Sequence, residues 1–128
     1  MQNLDTAEKA IEAFFQAFNA HDGEAYVKSL HFPHVRINAP GQVNILQTAA
    51  DQPPLENALA WLAKHEGWHH STLDQVERVQ ESENKVHFKI QFSRFKADGS
   101  LYAVHKSLWV ITKKDNQWGV LARSSFAP

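Results

Sequence analysis

The second half of the chain most constrains what it can fold into. Residues 68–80, 85–96, 101–113 and 117–126 read as four long strands, rich in β-branched and aromatic residues and parted by Glu81-Ser82-Glu83-Asn84, Asp98-Gly99 and Asp115-Asn116. Parallel strands need a crossover of a dozen or more residues, so connections this short predict an antiparallel meander.

Turn counting then sorts the side chains into two faces. If Asp98-Gly99 is a two-residue turn, Arg94 lies opposite Ala103, Phe92 opposite His105, Ile90 opposite Ser107 and Phe88 opposite Trp109. The same count at Asp115-Asn116 sets Ile111 opposite Val120, Trp109 opposite Ala122, Ser107 opposite Ser124 and His105 opposite Phe126. One face therefore collects Phe88, Phe92, Arg94, His105, Ser107, Trp109, Ser124 and Phe126, and this largely aromatic face is expected to meet the helices. The other carries His87, Lys89 and Lys106 but also Val104, Leu108 and Val110, too apolar for plain solvent, and a homodimer contact through it is expected.

Upstream, the period changes from two to 3.6. Asp5 and Glu8 form a capping-box pattern ahead of Ala7, Ala10, Ile11, Phe14, Phe15 and Phe18, which predicts an amphipathic helix over residues 5–20. Asp22 caps a second helix carrying Tyr26, Val27 and Leu30, stopped before His31-Phe32-Pro33. Two short extended pieces between Val35 and Leu46 surround the turn residues Asn38-Ala39-Pro40-Gly41-Gln42. A third helix runs from Leu55 to Glu66 and closes on Gly67. Helices first and sheet second give the α+β class: three helices on the concave face of a curved, mainly antiparallel sheet, in a single domain over residues 1–128.

A net charge of -1 speaks against an electrostatic grip on nucleic acid or a membrane surface, and points to a small, mostly neutral partner. The chain has no cysteine, which removes disulfides and thiol chemistry, and Met1 to Asp5 show no basic stretch leading into an apolar run; a cytoplasmic location is expected.

Eight histidines need placing. His69 and His70 are neighbours on a strand and should point to opposite faces; His31 and His34 flank Phe32-Pro33 in what reads as a kinked loop; no metal site and no cofactor are expected. His105 with Ser107 and Ser124 is either a set of satisfied core polar groups or a polar cluster that orients a ligand or moves a proton. Arg94 either holds a carboxylate or pairs with an acidic neighbour. Trp68 and Trp109 are candidate pocket walls.

The stretches AIEAFFQAFNAHDGEAYVKSLHFPHV and FSRFKADGSLYAVHKSLWVITKKDNQWGVLARSSF, with the element order around them, resemble the nuclear transport factor 2-like superfamily, particularly its SnoaL-like and ketosteroid isomerase-like members, over nearly the whole chain. The resemblance implies a cone-shaped, cystatin-like barrel with a pocket between sheet and helices, and pairing through the sheet's outer face. Isomerases and cyclases of that group place a carboxylate base near the first short strand, where this chain reads RINAPG and offers Asn38 and Ala39. Dehydratase relatives use an Asp from the start of the second helix, a Tyr and histidines, for which Asp22, Tyr26 and His105 are the counterparts here.

Three functions follow as expectations. The first is binding of a small apolar molecule with one or two polar groups, in a pocket walled by Phe14, Phe18, Trp68, Phe88, Phe92, Trp109 and Phe126 and anchored by Arg94, Ser107 and Ser124. The second is a cofactor-free isomerase, cyclase or dehydratase using His105 as acid/base with Asp22 or Tyr26 assisting. The third is a structural or pairing module with a filled core.

Overall fold

The computed structural model describes residues 4–126, so Met1 to Asn3, read above for a leader, lie outside it. Three helices, α1 (Ala7–Asn19), α2 (Gly23–Lys28) and α3 (Leu55–Glu66), pack with six strands, β1 (Leu30–Ile37), β2 (Val43–Leu46), β3 (Trp68–Glu81), β4 (Lys85–Lys96), β5 (Leu101–Lys114) and β6 (Gln117–Ser125). This is the α+β architecture expected. The strands form one sheet in the order β2-β1-β6-β5-β4-β3, antiparallel except where β1 runs parallel to β6.

Local chemistry sets most boundaries. Thr6, one residue later than the expected Asp5, caps α1 by accepting from the Lys9 N–H; Asp5 instead pairs with Lys9 at 3.2 Å, and Glu8 reaches across to Arg78 on β3. Asp22 caps α2 through the Ala25 N–H at 3.0 Å. Gly67 ends α3 at φ 76, a left-handed position that L side chains adopt at a cost. The first strand corrects the sequence reading: β1 begins at Leu30 and runs through Pro33, with its pairing to β6 irregular between Leu30 and Val35, the kind of interruption at which a strand tolerates proline. His34 and Arg36 therefore sit on a strand, two residues apart and on the same face.

The sheet is bent by extra residues. His69, Asp74 and Val79 each bulge from β3 against β4, which brings Ser71, Leu73, Val76 and Arg78 opposite Arg94, Phe92, Ile90 and Phe88 in turn. Bulges of this kind raise local twist and curl a sheet around what it covers. What it covers is the apolar face of α1: Ala7, Ala10, Ile11, Phe14 and Phe15 are buried with Val86, Phe88, Ile90, Trp109, Ile111 and Val120. Near α1, Trp109 lies 4.8 Å from Phe14 edge-on and 5.6 Å from Phe15 nearly parallel, geometries in which aromatic pairs attract beyond simple burial.

The two turn counts fare differently. Phe88–Trp109, Ile90–Ser107, Phe92–His105 and Arg94–Ala103 are paired as expected. Between β5 and β6, Ile111 meets Val120, but Leu121 is then an extra residue, so Val110 meets Ala122, Trp109 meets Arg123, Leu108 meets Ser124 and Ser107 meets Ser125. Past Leu121 every side chain of β6 lies on the face opposite to that expected.

Candidate functional site

A cavity of about 50 Å³ lies between α1 and the sheet, lined by Phe14, Phe15, Phe18, Arg36, Ser71, Phe92, Arg94, Ser107, Trp109, Arg123 and Ser125. Its inner wall is made of the buried residues Phe14, Phe15, Ser71, Ser107 and Trp109, whereas Phe18, Phe92, Ser125 and all three arginines are half-buried around it. Drug-sized ligands occupy pockets of roughly 300–1,000 Å³, so this volume suits a small molecule or one end of a larger one.

The hydroxyls of the inner wall are already engaged. Ser107 Oγ accepts from Trp109 Nε1 at 2.8 Å and donates to the Ser124 carbonyl at 2.8 Å. Ser71 Oγ accepts from Trp68 Nε1 at 2.9 Å, and the Ser71 backbone is held by both amide atoms of the Asn19 side chain at 2.8 Å. These bonds orient Trp68 and Trp109 and tie the end of α1 to β3.

The arginines differ. Arg94 Nη1 donates to Glu66 Oε1 at 3.2 Å, and Glu66 also accepts from the Tyr102 hydroxyl at 2.7 Å, yet Arg94 Nε is a buried donor without a hydrogen-bond partner among the described residues. A buried donor left unmade costs about 1–3 kcal/mol. Arg123 lies over the Phe14 ring at 4.9 Å and the Trp109 ring at 5.9 Å, and its Nε donates to His34 Nε2 at 3.2 Å. Arg36 is directly paired with Arg123 across β1 and β6. Burial first, then the charges of Arg123 and Arg94, push Arg36 below the ordinary arginine range, with Tyr26 acting the other way. Like charges opposite one another on neighbouring strands repel, so the site is cationic and poised to gain from an anion.

Six of the residues singled out from sequence meet at this cavity: Phe14, Phe18, Phe92, Arg94, Ser107 and Trp109. Tyr26, Trp68 and Phe88 are buried beside it, Tyr26 with its ring 4.9 Å from Phe14 and Trp68 with its ring 5.2 Å from Phe18. Ser124 and Phe126 were expected on the concave face and are not: the Leu121 bulge turns the Ser124 side chain outward beside Leu108, and Phe126 lies beyond β6 with 76% of its surface exposed. Asp22 borders a separate groove with Leu4, Lys28, His31 and Lys114.

His105 stands next to the cavity, its ring 5.4 Å from Phe92. Burial and, secondarily, Arg94 push its pKa down, against the opposing pull of Glu66, whose carboxylate is taken by Arg94 and Tyr102. His105, Asp22 and Tyr26 line none of the described cavities together. His69 and His70 depart from the alternation expected of a strand, because the bulge at His69 brings their Nδ1 atoms to 3.0 Å. Among the described residues no group of three or more His, Cys, Asp or Glu is placed to hold a metal ion.

Sequence reasoning missed Arg36, Arg123, Ser71, Ser125 and Phe15. Phe15 follows Phe14 in the same apolar run and Ser71 could have been found from the parity of β3 only with its bulges known. Arg36 follows from alternation with His34 once β1 is recognised as a strand.

No family model matches the chain, and no curated protein matches it. Solved structures do. A protein of unknown function with a cystatin-like fold from Nostoc punctiforme superposes with a TM-score of 0.73 at 10% identity, over 94% of this chain and 87% of that one. A nuclear transport factor 2-like protein with a cystatin-like fold from Novosphingobium aromaticivorans gives 0.69 at 12% identity, over 96% and 79%. A nuclear transport factor 2-like protein of unknown function from Pseudomonas putida gives 0.69 at 14% identity, over 94% and 83%. The chain thus has the nuclear transport factor 2-like, cystatin-like fold that its element order suggested. Likeness at these identities speaks of architecture, so function rests on the site.

Proposed function

We propose that this protein binds a small carboxylic acid, with the carboxylate on Arg36, Arg94 and Arg123 and the apolar part against Phe14, Phe18, Phe92 and Trp109. The observation that carries the reading is the convergence of three guanidinium groups on one aromatic-walled cavity, one of them with a buried Nε–H still to be bonded. Guanidinium forks match carboxylates in two-point contacts, and an anion seated among them relieves their mutual repulsion. Binding is favoured over acid/base catalysis because the lining offers neither carboxylate nor imidazole, and the serines facing the inner wall are engaged with tryptophan indoles.

We also propose that a second copy of the chain covers the outer sheet face. Val79, Val104 and Leu108 are exposed there, and an apolar depression of about 370 Å³ runs between Ile37, Val79, Leu108, Val110 and Ala122. Isolated exposed apolar residues are ordinary, but a contiguous group on one face marks a contact surface.

Calorimetric titration with benzoate and its neutral isostere benzamide tests the ligand class. Benzoate is expected to bind at least tenfold more tightly, and Arg123→Met to remove roughly a tenfold factor or more, as loss of a charged hydrogen bond does. Equal affinity for the two compounds would sink the anion reading, and no binding of either would sink the pocket.

A further inference from the structure

We infer that His34 is a positioning residue for the ligand site: as a neutral imidazole it holds Arg123 in place through the Nε2 lone pair. The inference rests on the carboxylate reading above for its consequence, and on a separate chain of hydrogen bonds for its cause.

His34 lies on β1 with 1% of its surface exposed, beside the cavity but not in its lining. Its Nδ1 is 2.9 Å from the Val120 carbonyl, which can only accept, so the proton is on Nδ1. That leaves Nε2 as a lone pair, and Arg123 Nε–H donates to it at 3.2 Å. Both partners come from β6, on either side of the Leu121 bulge, so one imidazole braces the irregular stretch of the strand and the guanidinium that follows it. The bond fixes Arg123 by its Nε and leaves its two terminal nitrogens for a carboxylate, over the faces of Phe14 and Trp109.

Protonating His34 replaces the lone pair with a second donor, which cannot face the Arg123 Nε–H. Arg123 from β6 is the charged group that acts on the ring, while Val120 and His31 contribute backbone contacts. Burial, then the Arg123 charge, hold the His34 pKa down to about 4 from an ordinary 6.5. For a base whose folded pKa is lowered, the unfolded chain binds the extra proton first. Stability is therefore full above about pH 6.5 and is lost as pH falls toward 4.

Two substitutions separate positioning from packing. His34→Asn keeps a donor for the Val120 carbonyl and loses the acceptor for Arg123, whereas His34→Gln can present an oxygen near the Nε2 position. At pH 7.5, H34N is expected to bind benzoate about tenfold more weakly than the unaltered chain, by analogy with loss of one charge-assisted contact, and H34Q to regain most of that loss. Equal losses in both variants would assign His34 to packing alone and overturn the inference. If a variant does not fold, the unaltered chain still decides: the Arg123 Nε–Hε resonance in ¹⁵N NMR should be protected from exchange and should shift with a midpoint near that of His34. A resonance indifferent to the His34 titration overturns the relay whether or not benzoate binds. Benzoate failing to bind an intact relay would instead count against the carboxylate reading.

Discussion

The β4–β5 and β5–β6 hairpins share one strand, and each contains one extra residue in its ladder, but in different places. In β4–β5 the loop at Ala97-Asp98-Gly99 is closed by Lys96 and Ser100, with Gly99 at φ 87, and Tyr102 bulges immediately beyond it. The odd loop and the bulge cancel, so the rest of the ladder keeps the parity of a simple two-residue turn. In β5–β6 the turn is a tight one, with Asp115 and Asn116 at φ 52 and 62, and the ladder runs regularly to Ile111–Val120 before Leu121 intrudes with nothing to cancel it. The first hairpin delivers a uniform face of Phe88, Ile90 and Phe92 against Trp109. The second changes face halfway, placing Val120 in the core and then Arg123 in the cavity. A compensated irregularity preserves a core, whereas an uncompensated one puts a polar side chain where the pattern called for an apolar one.

Trp109 is the residue on which both ladders depend, opposite Phe88 on one side and Arg123 on the other. Removing it should have the largest effect. Trp109→Ala is expected to cost about 3–5 kcal/mol, the range for a large buried aromatic, measured as a fall in the urea unfolding midpoint. A smaller cost, near about 1 kcal/mol, would mean that the hairpins are held by their turns and not by the ring they share.

Deleting Leu121 attacks the difference itself. Without the extra residue Ala122 follows Val120 directly and the ladder becomes regular, with Ala122 still opposite Val110 and Arg123 still opposite Trp109, so Arg123 keeps its inward face and only the bend is lost. The expected outcome is a destabilisation of roughly 1–3 kcal/mol, because the sheet loses a bend where it curves over α1, with benzoate binding retained. A deletion variant that folds but loses benzoate binding would show that the bend at Leu121, and not the register alone, aims Arg123 into the cavity.

That deletion also marks the boundary of what sequence could say. Long-range order was readable: turn residues, strand lengths and helical period sufficed for three helices, a meander and the pairing of Phe88 with Trp109. Bulges were not, because Leu121 and Tyr102 are ordinary strand residues and the extra residue is chosen by how the sheet must curve over α1. Three of the eleven residues around the cavity, Ser71, Arg123 and Ser125, depended on such bends. Phe14, Phe18, Phe92, Arg94, Ser107 and Trp109 were found because they precede or escape the irregularities, while Arg123 and Ser125 follow Leu121 and took the places assigned to Ala122 and Ser124. Arg36 was hidden differently, by a proline that made the beginning of β1 read as loop.

Leu108 tests the comparison from its other face, with the smallest effect on the folded chain. It pairs with Lys89 on one side and Ser124 on the other, and 53% of its surface is exposed, so the two ladders agree in turning it outward. In an isolated chain Leu108→Glu removes little buried area, and the change in unfolding free energy should stay within about 0.5 kcal/mol. If a second copy covers this face, the same substitution buries a carboxylate among Val79, Val104 and Val110, and an unpaired charge is strongly disfavoured in such surroundings. Light scattering should then show a dimer for the unaltered chain and a monomer for L108E at the same concentration, with benzoate affinity preserved because the cavity lies on the opposite side of the sheet. A monomer in both cases would leave the outward turn of Leu108 without a partner and end the pairing proposal; a dimer in both would move the contact to another surface.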